Sequence, residues 1–539
     1  MSDSFDAVVV GAGFSGLYML HRLRGLGFSV RVYEAAAGVG GTWYWNRYPG
    51  ARCDVESLEY SYSFSKELEQ EWQWTERYAT QPEILRYLNH VADRFDLKRD
   101  IQFDTRITEA IFDEQSDRWK LRTDRGEQIT AQFCIMATGC LSSAKVPDIK
   151  GRDSFQGKMY HTGRWPHAGV DFTGQRVGVI GTGSSGIQSI PMIAQQAAHL
   201  FVFQRTPNFS VPAHNIPLSD KVKQNWQTNS AAYHHEAKTG AFGMLIESNE
   251  KSALEVTAEE REHEYEKRWN RGGVCMLGAF SDLIVNKKSN DTAVGFLHSK
   301  IREIVKDPAV AEKLLPKDHP FATKRLCIDT GYYATFNRDN VTLVDLRTTP
   351  IEEITPTGLR TSDAGYSLDS IVFATGFDAM TGALSAVDIR GRNGAALSGK
   401  WSEGPRAYLG LMIAGFPNMF TITGPGSPSV LSNMAVSIEQ HVEWIADCLA
   451  YLREHHHPAI EATAAAETAW VDHVREVGDT TLFPLANSWY MGSNIPGKPR
   501  VFMPYIGGVG VYREKCDEVV ANGYEGFTLT APVHAETTA

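Results

Sequence analysis

Cysteine is scarce and carries no pattern. The chain of 539 residues has seven, at Cys53, Cys134, Cys140, Cys275, Cys327, Cys448 and Cys516, with no C-x-x-C among them. An odd, scattered set argues against a disulfide framework, a structural zinc site and a dithiol redox centre, and it suits a reducing compartment. Long apolar runs are missing too. The longest, around 407–420, is broken by Gly410, Gly415, Pro417 and Asn418 and reads as core rather than a membrane span. Positive charge is the minority sign, with 53 Lys and Arg against 64 Asp and Glu and a formal net charge of −11. Nonspecific binding to a nucleic-acid backbone is therefore disfavoured, although a local basic pocket for one phosphate stays open. The segment Met1-Ser-Asp-Ser-Phe-Asp6 is acidic where a secretory leader would be basic. Together these absences lead us to expect a soluble, cytoplasmic protein with no membrane or nucleic-acid partner.

What is present is globular chain. Hydrophobic residues at 42% and charged residues at 22% exclude a disordered or fibrous class. The length suggests three or four domains of about 150 residues each. Asp6-Ala-Val-Val-Val10 leads into Gly11-Ala-Gly13-Phe-Ser-Gly16. A short β-branched run reads as a buried parallel strand. The three glycines permit a tight turn, close backbone approach to a pyrophosphate and close packing of the next helix, whose N-terminus favours phosphate. A second strand, 29–33, ends at Glu34, eighteen residues after Gly16, where a carboxylate accepts from an adenosine ribose.

The pattern recurs. Arg176-Val-Gly-Val-Ile180 leads into Gly181-Thr-Gly183-Ser-Ser-Gly186, and Gln204 followed by Arg205 stands where the first copy has Glu34. Loss of the acid removes repulsion of a 2′-phosphate, and an arginine pairs with it in a charge-assisted fork. The first site thus reads as a nucleotide with a free ribose hydroxyl, the second as NADPH. Two further strand-like runs end alike, at Ala137-Thr-Gly139 and Ala374-Thr-Gly376.

As a pair, one after each nucleotide motif, those endings resemble the flavoproteins that carry two dinucleotide domains, which implies FAD at the first site. Without metal-ligand clusters or a dithiol, an organic cofactor has to carry the electrons. Phe155-Gln-Gly157-Lys-Met-Tyr-His161-Thr-Gly-Arg-Trp165-Pro166 then matches the F-x-G-x-x-x-H-x-x-x-W-P fingerprint of type I Baeyer–Villiger monooxygenases. Flavin-containing N- and S-oxygenating relatives end that motif in Tyr or Phe. The resemblance extends along the chain. Gly40-Gly-Thr42-Trp43-Tyr-Trp45 through Asp54 is similar to the family's flavin-contacting loop, Lys324-Arg325 to the segment of its catalytic arginine, Gly424 through Met434 to its active-site loop, and Asn487-Ser-Trp489 to its mobile segment.

The resemblance implies an α/β chain of two nested Rossmann-like dinucleotide-binding domains with a helical insertion. Residues 1–145 and 380–539 would bind FAD, 146–207 and 322–379 NADP, and 208–321 would form a helical cover. It implies oxidation of a small-molecule ketone to an ester or lactone by NADPH and O2 through a C4a-peroxyflavin, with Arg325 the fixed cation beside the peroxide and Asp54 its orienting partner. At roughly 4 Å a guanidinium holds such an anion by about 4 kcal/mol at a screened dielectric. Cofactor contacts are expected from Gly11, Gly13, Ser15, Gly16 and Glu34, and from Thr42, Trp43, Trp45, Arg52, Asp54 and Tyr60. Ile107 and Met434 join them. At the second motif the expected contacts are Thr182, Gly183, Ser184, Ser185, Gly186 and Gln188, with Arg205, Thr206, Lys324, Arg325 and Trp489. His161 is expected at a domain hinge rather than at the chemistry.

Other segments read as structural. Residues 259–269 form a highly charged helix with a solvated face and a glycine stop, His455-His-His457 an exposed helix end, and 530–539 a frayed tail. Two other functions fit parts of the chain: a flavin N- or S-oxygenase, and a catalytically silent FAD- and NADP-binding redox sensor. The latter has no need of Asp54 or Arg325. A monomer is the expected state.

Overall fold

The computed structural model describes residues 3–531, so residues 532–539 of the expected tail lie outside them. Strand β1 (Asp3–Val10) is followed by helix α1 (Phe14–Gly25) and strand β2 (Val30–Tyr33), and β3 spans Gln128–Met136. β1 runs parallel to β2 and β3, with Val10 opposite both Tyr33 and Met136. Flanked on both sides, Ala7–Val10 is buried throughout, which is why that stretch is uniformly apolar. An antiparallel meander, Ile107–Asp113 and Arg118–Thr123, feeds β3, and Met419–Thr421 returns from far along the chain to lie parallel to β3. The stretch from Ala407 to Phe420 is core, as its composition indicated. No helix among the described residues is long and apolar enough to cross a membrane.

A second sheet repeats the plan. β4 (Arg176–Ile180), β5 (His199–Gln204) and β6 (Ser370–Phe373) form a five-stranded, wholly parallel sheet with 341–345 and 158–161, and helix α2 (Ser184–Gln196) links β4 to β5. Between β5 and β6 lie helices over 220–239, 258–271, 287–304 and 308–314. They share an apolar cluster of their own around Phe209, Tyr265, Phe280, Phe296 and Phe321.

The charged helix starts at a Thr257–Glu260 capping box and stops at Gly272, whose φ is +72°. Its expected solvated face is only partly so. Arg268 is 2% exposed, donating to Glu264 at 2.6 Å and to the Glu247 carbonyl at 2.6 Å. A buried guanidinium needs such partners, and the sequence pattern alone does not show them.

The two halves meet where Gly50 approaches α2. A Cβ at Gly50, whose φ is +83°, would stand 2.4 Å from the Gln188 carbonyl oxygen. Gly126 has nearly the same φ, +82°, and open space around it. Gly126→Ala should therefore cost only the left-handed backbone strain, about 1 kcal/mol. Gly50→Ala should lower the thermal midpoint by at least twice as much, because a main-chain carbonyl cannot step aside.

Candidate active site

Each glycine loop is pressed against the end of a neighbouring strand. A Cβ on Gly11 would lie 2.6 Å from the Ala137 carbonyl oxygen, and one on Gly181 would lie 2.4 Å from that of Ala374. The two Ala-Thr-Gly endings are thus the floors on which the loops rest. Gly16 and Gly186 close the first helical turns, their absent Cβ atoms 1.8 and 2.4 Å from the Gly11 and Gly181 carbonyl oxygens. Both helices begin at a glycine, Gly13 or Gly183, with no side-chain cap and no acid in the first turn. Their free N–H groups make two anion sites.

Around the first cradle, Glu34 is buried and accepts the Ala12 N–H at 2.6 Å and the Ala36 N–H at 2.8 Å. Burial raises its carboxyl and these hydrogen bonds oppose the rise. Gly41, which caps the short helix of Thr42, Trp43 and Trp45, faces Gly13 across the mouth of the loop. The Trp43 indole donates to the Tyr60 hydroxyl at 3.1 Å, and Tyr60 packs on Phe14. Ser15 is buried in α1, and Ile107 lies in the apolar core with Val10 and Tyr33. Met434 opens the helix α3 (Met434–Glu454). A glycine cradle that a Cβ would fill, a helix N-terminus, a terminal carboxylate and an aromatic wall fit a flavin dinucleotide.

The second cradle is open at Gly183, where a Cβ would meet nothing within 4 Å. The Thr182 hydroxyl donates to the Thr206 carbonyl at 3.0 Å, Ser185 meets Thr162 at 3.0 Å, and Ser184 meets the Cys327 thiol at 3.2 Å. Gln204 is fully buried, and its amide donates to the Lys313 carbonyl at 2.8 Å, away from the loop. That leaves the position of Glu34 in the first copy vacant of charge. Arg205 follows Gln204 in the chain, and its charge acts on Lys324 and Lys145, which also feel Asp318 and Asp378 respectively. Burial pulls both ammonium groups down, and the charge of Arg205 adds to that effect. Three such cations fit a phosphate ester on a ribose. Sequence reasoning missed Lys145, which sits just past the first Ala-Thr-Gly turn with no motif of its own.

Between the cradles lies the Arg325–Asp54 fork. Arg325 Nε donates to Asp54 Oδ2 at 2.8 Å, Nη2 to Oδ1 at 2.7 Å, and Nη1 to the Val430 carbonyl at 2.6 Å. The side chains are 25% and 23% exposed. Asp54 raises the Arg325 pKa against the burial that would lower it, so the charge is permanent. Arg52 and Gln188 fix the Asp54 loop. Arg52 pairs with Glu76 and donates to the Tyr78 carbonyl at 2.9 Å, while Gln188 donates to the Arg52 carbonyl at 3.2 Å and accepts from Tyr48 at 2.8 Å. Trp489 stands against Tyr490, ring centroids 4.2 Å apart. Val430 falls within the expected active-site loop, Gly424 through Met434, but its carbonyl is no motif residue and meets Arg325 only through the return of a segment 105 residues away.

His161 is not at this fork. The Gly163 N–H donates to its Nδ1 at 2.9 Å, so the ring proton sits on Nε2, which donates to the Lys145 carbonyl at 3.1 Å. Both nitrogens are engaged between strand 158–161 and the linker around Lys145.

The pyridine nucleotide-disulphide oxidoreductase family matches residues 8–274. A Baeyer–Villiger monooxygenase of Pseudooceanicola batsensis is 46% identical over 96% of this chain and 95% of its own length. The chain belongs to the Baeyer–Villiger monooxygenase family. A relative of different name, a phenazine N-monooxygenase of Lysobacter antibioticus, is 45% identical over 97% of each chain. Among solved structures, a steroid monooxygenase bound to NADP is 57% identical, with a TM-score of 0.94 over 98% of this chain and 99% of that one. An OTEMO complex with FAD and NADP is 42% identical, with a TM-score of 0.95 over 98% and 100%.

The loop that presents Val430 rests on a buried histidine. The Thr423 N–H donates to His441 Nδ1 at 2.9 Å, and His441 Nε2 meets the Tyr512 hydroxyl at 2.9 Å. Burial lowers His441 to about 3. The unfolded chain then binds one more proton than the folded one between pH 3 and the ordinary value near 6.5. This contribution is complete above that range and is lost on acidification at about 1 kcal/mol per pH unit. His441→Gln should flatten the stability–pH curve between pH 6 and 4, measured by thermal melting.

Proposed function

We propose that this chain is an FAD-containing, NADPH- and O2-dependent Baeyer–Villiger monooxygenase that converts a small-molecule ketone into an ester or lactone. The balance is ketone, O2, NADPH and a proton going to ester, NADP+ and water. The observation that carries the reading is the Arg325–Asp54 fork, set between two nucleotide cradles and aimed by the Val430 carbonyl. Bound in the first cradle, FAD would supply the hydride-accepting and dioxygen-activating chemistry of the reaction.

The protein's own part is binding, orientation and charge. Gly11, Gly13, Gly16 and Glu34 hold one dinucleotide, and Trp43, Trp45 and Tyr60 wall its ring. Gly183, Gly186 and the hydroxyls of Thr182, Ser184 and Ser185 hold the other, with Arg205, Lys324 and Lys145 on its 2′-phosphate. Arg325 keeps its protons against any oxygen anion that forms beside it, and its charge lowers the cost of negative charge on the carbonyl oxygen under attack. Trp489 and the segment around it keep water out.

Division into an FAD domain (1–145 and 380–539), an NADP domain (146–207 and 322–379) and a helical insertion (208–321) accords with the two separate sheets. We take the protein to be a cytoplasmic monomer. Its seven free, buried thiols and its few exposed large apolar side chains support that reading. The N-oxygenating relative keeps a second reading in view, oxidation of an amine or sulfide nucleophile. One experiment separates them: supply ketones, amines and sulfides with NADPH and O2, and identify products by mass. Ester as the main product supports the proposal, and N- or S-oxide alone overturns it.

Two variants test the assigned roles. Arg325→Ala should still let NADPH bleach the flavin yet form no ester, read by stopped-flow absorbance and product analysis. Appreciable ester would remove Arg325 from the chemistry. Arg205→Ala should raise KM for NADPH at least tenfold more than KM for NADH, and equal effects would take Arg205 off the 2′-phosphate.

A further inference from the structure

Helix α2 opens at the second cradle with an uncapped N-terminus. One face of it reaches both halves of the Arg325–Asp54 fork. Ser184, its first residue, meets the Cys327 thiol at 3.2 Å, and Cys327 stands two residues after Arg325. The Asn208 amide donates to the Arg325 carbonyl and to the Cys327 sulfur, each at 3.2 Å, which fixes that stretch of backbone. Gln188 comes four residues after Ser184 and therefore lies on the same helix face. Its Oε1 accepts the Tyr48 hydroxyl at 2.8 Å and the Arg52 N–H at 3.4 Å, while its Nε2 donates to the Arg52 carbonyl at 3.2 Å. Arg52 stands two residues before Asp54.

Gln188 is expected among the nucleotide contacts, yet its amide is spent on the loop of Asp54. One side chain meets both the N–H and the carbonyl of Arg52, the pairing that a neighbouring strand gives elsewhere. No slack separates loop from helix. A Cβ at Gly50 would lie 2.4 Å from the Gln188 carbonyl oxygen, so the loop rests on the helix backbone as well as on its side chain. On its far side the Cys53 N–H donates to the Ala79 carbonyl at 3.2 Å. The position of Asp54 is thus measured from α2, and the stretch that follows Arg325 is measured from the same helix.

We propose that Gln188 is a positioning residue for the fork. By holding Arg52 it keeps Asp54 in register with Arg325, and it ties that register to the helix at the nucleotide cradle. Its effect on product rests on the ketone-oxidising function argued above. A shift of α2 moves Ser184 and Gln188 together, and so carries both partners of the fork as a unit. Loss of the Gln188 amide separates them. Arg325 keeps its link to α2 through Cys327 and Ser184, while the Asp54 loop is left to Gly50 and Ala79. A fork opened by about 1 Å misaims the guanidinium, at a cost of about tenfold or more in the step that needs its charge.

The test compares wild type with Gln188→Met, which fills similar space without the amide, and with Tyr48→Phe, which removes one donor to Gln188. All are holoenzymes with FAD and NADP+. The first readout needs no turnover. In a crystal structure of Gln188→Met, at least one of the two Arg325–Asp54 bonds, 2.7 and 2.8 Å in wild type, should lengthen past about 3.5 Å. The second is lactone formed per NADPH oxidised, with cyclohexanone as probe and hydrogen peroxide taking up the difference. That yield should fall at least about fivefold in Gln188→Met. In Tyr48→Phe it should fall about twofold or more, with the Kd for NADP+ within about twofold of wild type. An unmoved fork overturns the proposal, and so does an unchanged yield. Tyr48→Phe decides alone if Gln188→Met does not fold, and a wild-type yield from it is then the overturning result. Should wild type give no lactone or ester from any ketone, the function itself fails, and the fork geometry alone decides the role of Gln188.

Discussion

A permanent positive charge must be held three-quarters buried, and the rest of the architecture serves that requirement. Taking a guanidinium out of water costs several kcal/mol unless its donors are met. Arg325 meets three of them at 2.6–2.8 Å with Asp54 and Val430. Those partners lie 271 and 105 residues away in the chain. Asp54 precedes the strands of the second sheet in the chain and Val430 follows them, so the fork closes only where the chain passes Arg325 from both sides. The pair adds little net stability at a quarter exposure. What it secures is direction: a planar fork fixed at both edges leaves its remaining N–H groups aimed one way.

The cradles show the same economy at the level of backbone. In each half a glycine at positive φ, Gly11 at +107° and Gly181 at +109°, lies where a Cβ would strike the carbonyl of an alanine closing a neighbouring strand. The loop can then sit on the sheet's edge and leave its amides facing outward. The Ala-Thr-Gly endings therefore have a steric role, matching each loop with a floor of the right height. Duplication of that contact, more than of the helix behind it, makes the two sites alike. Glu34 and Gln204 make them differ, one buried and bonded into its loop, the other turned away to Lys313.

This contrast marks what could be read from sequence. The glycine motifs, Glu34, and the Asp54 and Arg325 segments each carry their signal within about twenty residues, because strand, turn and helix are local. The direction of Gln204 and the arrival of Lys145 are decided by residues 109 and 349 positions away, and the burial of Arg268 by the Glu247 carbonyl 21 positions back. No periodicity reports them. His161 lies between these cases. Its motif is distinctive, but only the Gly163 N–H and the Lys145 carbonyl show that both ring nitrogens are committed to the fold.

That commitment explains why so distinctive a motif stands away from the fork. The Lys145 carbonyl accepts from His161 and from the Thr375 hydroxyl, joining both interdomain linkers. Its ammonium reaches the Asn494 carbonyl at 2.5 Å, the Asn494 amide donates to Phe377 at 2.8 Å, and Lys498 pairs with Asp378 at 2.6 Å. The segment bearing Trp489 and Tyr490 is thus fastened to the linkers rather than to either sheet. Partly exposed bonds of this kind contribute roughly 0–1 kcal/mol each. Any rotation of one sheet against the other moves the linkers, and with them the anchors of that segment. The fingerprint therefore acts through position: by fixing the linkers it fixes the anchors of the segment that bears Trp489.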